Sequence, residues 1–122
     1  MEFFKIVNIK ATEKTIQEEL TLGKLDAYCE SIFALEDNAE VSLTGGMWGE
    51  FLVRRDLIKG GVRFSMLNCP NALAWTITTG YPPAREKIVI HLTINRERKQ
   101  KEFVDEIHSF LEDLRKGLTS YF

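Results

Sequence analysis

Between Gly60 and Ile94 the chain spells out three strands in succession, and this stretch limits the fold more than any other. Gly60–Leu67 supplies the first. In the second, Leu73, Trp75 and Ile77 alternate with Ala74, Thr76 and Thr78. In the third, Ile88, Ile90, Leu92 and Ile94 alternate with Val89, His91, Thr93 and Asn95. A period of two over five or more residues places one face of a strand against a core and the other toward solvent. Three such strands commit the chain to a β-sheet, and the remaining segments must cover that sheet or extend it.

The strongest covering segment is the last. Phe103, Val104, Ile107, Phe110, Leu111, Leu114 and Leu118 recur at steps of one, three and four, which is one stripe of an amphipathic helix. The spacing predicts a helix opened by Asn95 and closed at Gly117. It should lie on the sheet face that carries Ile88, Ile90 and Leu92. Burying such side chains contributes ~1.5–3 kcal/mol each, more than any single surface contact.

At the other end, Phe3–Ile9 reads as a strand with apolar groups on both faces: Phe4 and Ile6 on one, Phe3, Val7 and Ile9 on the other. That pattern predicts an interior or well-covered strand. Thr12 or Thr15 then opens a helix, with Thr15-Ile16-Gln17-Glu18 matching a capping box. Apolar residues from Ile16 to Leu35 extend it, with a break near Gly23, until Glu36-Asp37-Asn38 ends it. Two short strands follow, Glu40–Thr44 and Trp48–Arg54, joined by a turn at Gly45-Gly46. Arg55 to Gly61 reads as a longer turn, or as one turn of helix stopped by glycine. The predicted order is β-α-β-β-β-β-β-α. This is an α+β fold of two layers: a mainly antiparallel sheet of five to six strands with an N-terminal helix and a long C-terminal helix packed on it. At 122 residues, positions 1–122 are expected to form one domain.

No apolar run approaches the ~20 residues that span a bilayer. The opening MEFFKIVNIK lacks the continuous apolar core of a signal peptide. Cys29 and Cys69 are expected as free thiols, and the expected location is cytoplasmic. No metal site or cofactor is expected. His91, His108, Cys29 and Cys69 show none of the close pairing that structural zinc requires. Leu43 to Gly49 holds three glycines, but strand rather than helix follows, which is the wrong context for a phosphate loop. Trp48 beside them is expected in the core. No family signature stands out.

Net charge is −2, but the sign is segregated along the chain. Residues 1–50 hold ten acids and four bases, residues 51–101 ten bases and three acids, and residues 102–122 five acids and two bases. The basic middle contains Arg54, Arg55, Lys59 and Arg63, then Arg96, Arg98, Lys99 and Lys101. A pI of 5.7 and the lack of stacking aromatics interleaved with these bases argue against nucleic acid. The Tyr81-Pro82-Pro83 loop, with Arg85 close by, has the amphipathic aromatic character of protein interfaces.

The expected function is therefore a small, soluble, non-catalytic protein-binding module, like an immunity protein or inhibitor in size and composition. Arg54, Arg55, Lys59, Tyr81 and Arg85 are the partner-binding candidates. The partner is expected to be another protein, and no membrane is involved. A homodimer through an open sheet edge is compatible with this reading. The alternative is a ligand-binding or enzyme-like domain with a pocket between sheet and terminal helix near His91, His108 and Cys69. RNA binding is the weaker third reading.

Overall fold

The computed structural model describes residues 1–95 and 100–122. In chain order its elements are β1 (Glu2–Val7), α1 (Glu13–Glu19), α2 (Leu25–Tyr28), β2 (Ile32–Ala34), β3 (Val41–Gly46), β4 (Phe51–Ile58), β5 (Gly61–Met66), β6 (Ala74–Thr79), β7 (Ile88–Thr93) and α3 (Lys101–Tyr121). The strands form one antiparallel sheet in the order β1-β7-β6-β5-β4-β3-β2. The α+β class is as expected, but the strand count is seven rather than five to six.

The seventh strand, β2, comes from the segment expected to be a long helix. Thr12, not Thr15, is the N-cap of α1, and its hydroxyl accepts from the Thr15 backbone N–H at 3.1 Å. The helix stops at Leu20, α2 adds one short turn, and the chain then reverses into β2. Ile16, Leu20, Leu22, Leu25, Tyr28 and Ile32 are nonetheless all buried. Their spacing reflects a shared core rather than one continuous helix. The turn expected at Gly45-Gly46 is also displaced. Gly46 ends β3, with φ +145°, where a side chain would collide with the backbone of Ser31 and of Ile32, the first residue of β2. Its role is close approach between strands. Likewise Arg55 to Ile58 continues β4, and the turn shrinks to Lys59-Gly60, with Gly60 at φ +91°.

Strand β1 lies at an edge of the sheet, not in its interior. Its inner face still reaches the core: Phe3 and Val7 join Ile88, Ile90 and Leu92 of β7 beneath α3. The terminal helix supplies Ile107, Phe110, Leu111, Leu114 and Leu118, all buried, as the periodicity predicts. Phe110 is wedged edge-on between Trp75 (5.0 Å between ring centroids) and Trp48 (5.1 Å). Trp75 in turn stacks on Phe64 at 5.4 Å. Aromatic pairs of this kind add about 0.5–1.5 kcal/mol beyond the area they bury.

Asn95 does not cap α3, which begins at Lys101. It binds the β5–β6 connection instead, donating its backbone N–H to Asn71 O at 2.9 Å and its side-chain amide to Pro70 O at 3.2 Å. Polar contacts then fix α3 along its length. One oxygen of Asp113 accepts from Ser31 Oγ (2.6 Å), Ser31 N (2.7 Å) and Glu30 N (3.0 Å). Burial opposes ionisation of that carboxyl, but these bonds together hold it below its ordinary range. The neighbouring Cys29 thiol is pushed up to about 12, chiefly by burial. Glu112 binds Arg115, and Lys5 of β1 at 2.9 Å, which holds its carboxyl at about 2.

Gly117 is not a C-cap either, since α3 runs on to Tyr121. It faces α2, where a Cβ would overlap the Tyr28 carbonyl. Alanine is favoured over glycine inside a helix by about 1 kcal/mol, but that gain cannot offset a collision with backbone. Gly117→Ala is therefore expected to destabilise the protein by about 1–3 kcal/mol in denaturant titration. A rise in stability would refute the close approach of α2 and α3.

Candidate functional site

The pleat of the sheet sends alternate residues to the face opposite α3. Strand register assembles them into cross-sheet rows. One row runs Ile58–Gly61–Thr78–Val89–Ile6, from β4 across to β1. The next runs Asp56–Arg63–Thr76–His91–Phe4. On this outer face Phe4 is 52% exposed and Ile6 37%. Nothing among the described residues covers them.

These rows enclose a cavity of about 490 Å³, lined by Phe4, Ile58, Lys59, Thr76, Thr78, Tyr81, Pro82, Val89 and His91. Thr76, Thr78, Val89 and His91, on the two adjacent strands β6 and β7, make its floor. Val89 and Thr78 are buried there although they point away from α3. Phe4 forms the wall on the β1 side. It stacks flat on His91, with ring centroids 4.3 Å apart and planes 5° from parallel. His91 Nε2 also lies 3.2 Å from Glu2 Oε1, which fixes the imidazole.

The opposite wall comes from the β4–β5 turn and the loop after β6. Gly60 leaves room for the Tyr81 ring, which lies where a Cβ at position 60 would be. Tyr81 therefore folds back over the turn and remains 39% exposed. The turn is held from beneath by Glu13 of α1, whose carboxylate accepts from Gly60 N at 2.6 Å. The Pro82–Pro83 peptide bond is cis. Lys59 stands at the rim and makes no ion pair among the described residues.

The structure thus brings together two of the five expected partner-binding residues, Lys59 and Tyr81, and adds Phe4 and His91. Arg54 lies further along the outer face, exposed and paired with Asp56 at 3.0 Å. Arg85 is exposed in the β6–β7 loop, where its carbonyl accepts from Gly80 N at 3.2 Å. Arg55 points the other way. Its guanidinium donates to Leu20 O at 2.8 Å and to Gln17 O, closing the C-terminal end of α1 over the sheet. Burial draws its pKa down. These contacts tie α1 to the sheet. Of the second basic group, Arg96, Arg98 and Lys99 lie outside the described residues, and Lys101 is exposed at the start of α3.

His91, His108 and Cys69 do not converge. Cys69 lines a separate apolar cavity of about 230 Å³ with Trp48, Phe51 and Phe103. His108 sits on α3 with its ring edge-on to Phe3 at 5.3 Å. Among the described residues, no group of three or more His, Cys, Asp or Glu is gathered to hold a metal. No helix among them is long and apolar enough to cross a membrane.

The overall architecture is shared with a solved structure. The chain is similar to an uncharacterised protein from Bacillus thuringiensis at TM-score 0.60 and 15% identity, over 95% of this chain and 97% of that one. At that identity the likeness establishes the fold alone. No family model matches the chain, and no curated protein matches it.

The two adjacent arginines of β4 give opposite expectations. Arg55→Gln leaves buried carbonyls of α1 short of donors and is expected to cost about 1–3 kcal/mol in urea unfolding. Arg54→Gln removes only an exposed pair and should stay within about 0.5 kcal/mol of the parent. Equal losses would mean that Arg55 does not anchor α1.

Proposed function

We propose that this protein is a non-catalytic binding module that recognises another protein through the outer face of its sheet, at the cavity between Phe4 and Tyr81. One observation carries the reading: Phe4, Ile6 and Tyr81 present apolar surface to solvent around a cavity whose floor includes the buried Val89 and Thr78. A grouping of exposed apolar side chains with a polar rim is characteristic of interaction sites. Aromatic side chains seated beside a pocket are the usual anchors of such interfaces. The site is also preorganised. Glu13 braces the turn, Gly60 admits the tyrosine ring and Glu2 orients His91, so little ordering remains to oppose binding. An immunity- or inhibitor-like role fits a small chain that offers a docking face of this kind.

The reading is tested by affinity capture from the native host's lysate, with the parent beside a Phe4→Ser, Tyr81→Ser double variant. The expected result is one dominant protein held by the parent and lost with the variant, while circular dichroism of the two remains the same. Identical retained proteins, or none with either bait, would overturn it.

A further inference from the structure

Strand β1 is one edge of the sheet, and its outward-facing backbone groups have no partner among the described residues. Ile94 N–H donates to Met1 O and the Met1 ammonium donates to Ile94 O, each at 3.1 Å. The antiparallel alternation then turns the N–H and C=O groups of Phe3, Lys5 and Val7 toward β7, and those of Glu2, Phe4 and Ile6 away from the sheet. The other edge is defended. There β2 is three residues long, and its outward Ala34 N–H is taken by Asp26 Oδ1 at 2.9 Å. The side chain of Phe4 repeats the openness of its backbone. His91, directly opposite on β7, covers one face of the ring in a parallel stack. A stack between opposed residues of neighbouring strands runs along the line from strand to strand. The other face of the ring therefore looks out from the edge, and Phe4 is half exposed.

We infer that β1 pairs with β1 of a second copy of this chain, antiparallel about a two-fold axis at Phe4. Opposed residues of such a pair share a face, so the axis falls on a residue rather than between two. On Lys5 it would set two ammonium groups opposite each other. On Phe3 or Ile6 it would leave one end of β1 unpaired. On Phe4 the edge is its own complement: Glu2 opposes Ile6 in both directions, Phe4 opposes Phe4, and the outward N–H and C=O groups of all three find partners. The ring stack then continues across the axis, from His91 through both copies of Phe4 to the second His91. On the inner face Phe3 meets the aliphatic stem of the second copy's Lys5, whose ammonium stays with its own Glu112. One strand edge is a small interface, so the dimer is expected to be weak, forming near about 100 µM. It sets the two outer faces side by side and leaves the Tyr81 side of each cavity open. It does not depend on the binding role proposed above.

The parent and Phe4→Arg are compared by light scattering at about 100 µM. The parent is expected to show a mass rising toward twice the 14.0 kDa of the chain. Phe4→Arg sets like charges opposite each other and is expected to remain a monomer with unchanged circular dichroism. Register is read by cross-linking in proteins that keep Phe4 and carry Cys69→Ser, which removes the less buried native thiol. Glu2→Cys and Ile6→Cys are oxidised with glutathione disulfide, each alone and then mixed. Positions 2 and 6 lie opposite each other and come within disulfide reach only in the mixture. The mixture is expected to give a covalent dimer of the two proteins, and each alone is expected to stay monomeric. A parent that is monomeric at this concentration, a dimer that persists in folded Phe4→Arg, or no cross-link in the mixture would overturn the inference. So would cross-linking of either protein with itself, which would mark another register. Should Phe4→Arg fail to fold, the mixture still decides. Both experiments use the purified chain with no other protein present, so their failure would leave capture of a partner through the outer face untouched.

Discussion

The fold depends on Phe110. Its ring sits edge-on between Trp75 of the sheet and Trp48 of the β3–β4 connection, and it brings α3 down onto the inner face at mid-helix. Ile107, Leu111, Leu114 and Leu118 extend that contact over about 17 Å of helix. Apolar burial on this scale outweighs every polar contact in the molecule. The polar contacts instead fix register. Asp113 fastens α3 to the start of β2, Glu112 fastens it to Lys5 of β1, and Gly117 lets α2 come close. Each of these would be of little use if α3 were not already seated by its aromatic wedge.

Because α1, α2 and α3 pack against the inner face or its margins, the outer face keeps whatever its sequence puts there. Most of the sheet's middle is polar on that side, with Arg54, Asp56, Arg63 and Thr76 across β4, β5 and β6. The end at β1 and β7 differs, since it carries Phe4, Ile6 and Val89 around His91. An edge strand with apolar groups on both faces is a liability unless its exposed side has work to do. Lys5, on the inner side of the same strand, is drawn to Glu112 of α3 instead.

The terminal helix and the strands from Gly60 to Ile94 were legible in the sequence, because each has one buried face and a clean period. The region from Ile16 to Leu35 was not. Two short helices and a strand bury their apolar residues in the same end of the core, and a period measured along the chain cannot register a reversal of direction. Gly45-Gly46 misled for a related reason: glycine serves strand approach as readily as turns, and only the position of β2 distinguishes the two. The site was legible in part. Lys59 and Tyr81 stood out as a cation and a loop aromatic. Phe4 and His91 did not, because Phe4 looked like the second face of a covered strand and His91 like an isolated histidine. Register brings them into one row, and register is invisible without strand order. For Arg55 a signal was present: alternation from Val53 puts it on the buried side, whereas its charge suggested the surface.

Phe3 and Phe4 are neighbours in sequence and point to opposite faces of the same edge strand, so they put the division of labour between those faces to the most direct test. The measurement is the unfolding free energy of Phe3→Ser and Phe4→Ser. Phe3 is 9% exposed and packs under α3 against His108. Its loss should cost about 3–5 kcal/mol, as for other buried phenylalanines. Phe4 should cost less than about 1 kcal/mol, as a surface position does. Comparable large losses at both positions would mean that the outer face holds the fold together rather than standing open for a partner, and would contradict the account.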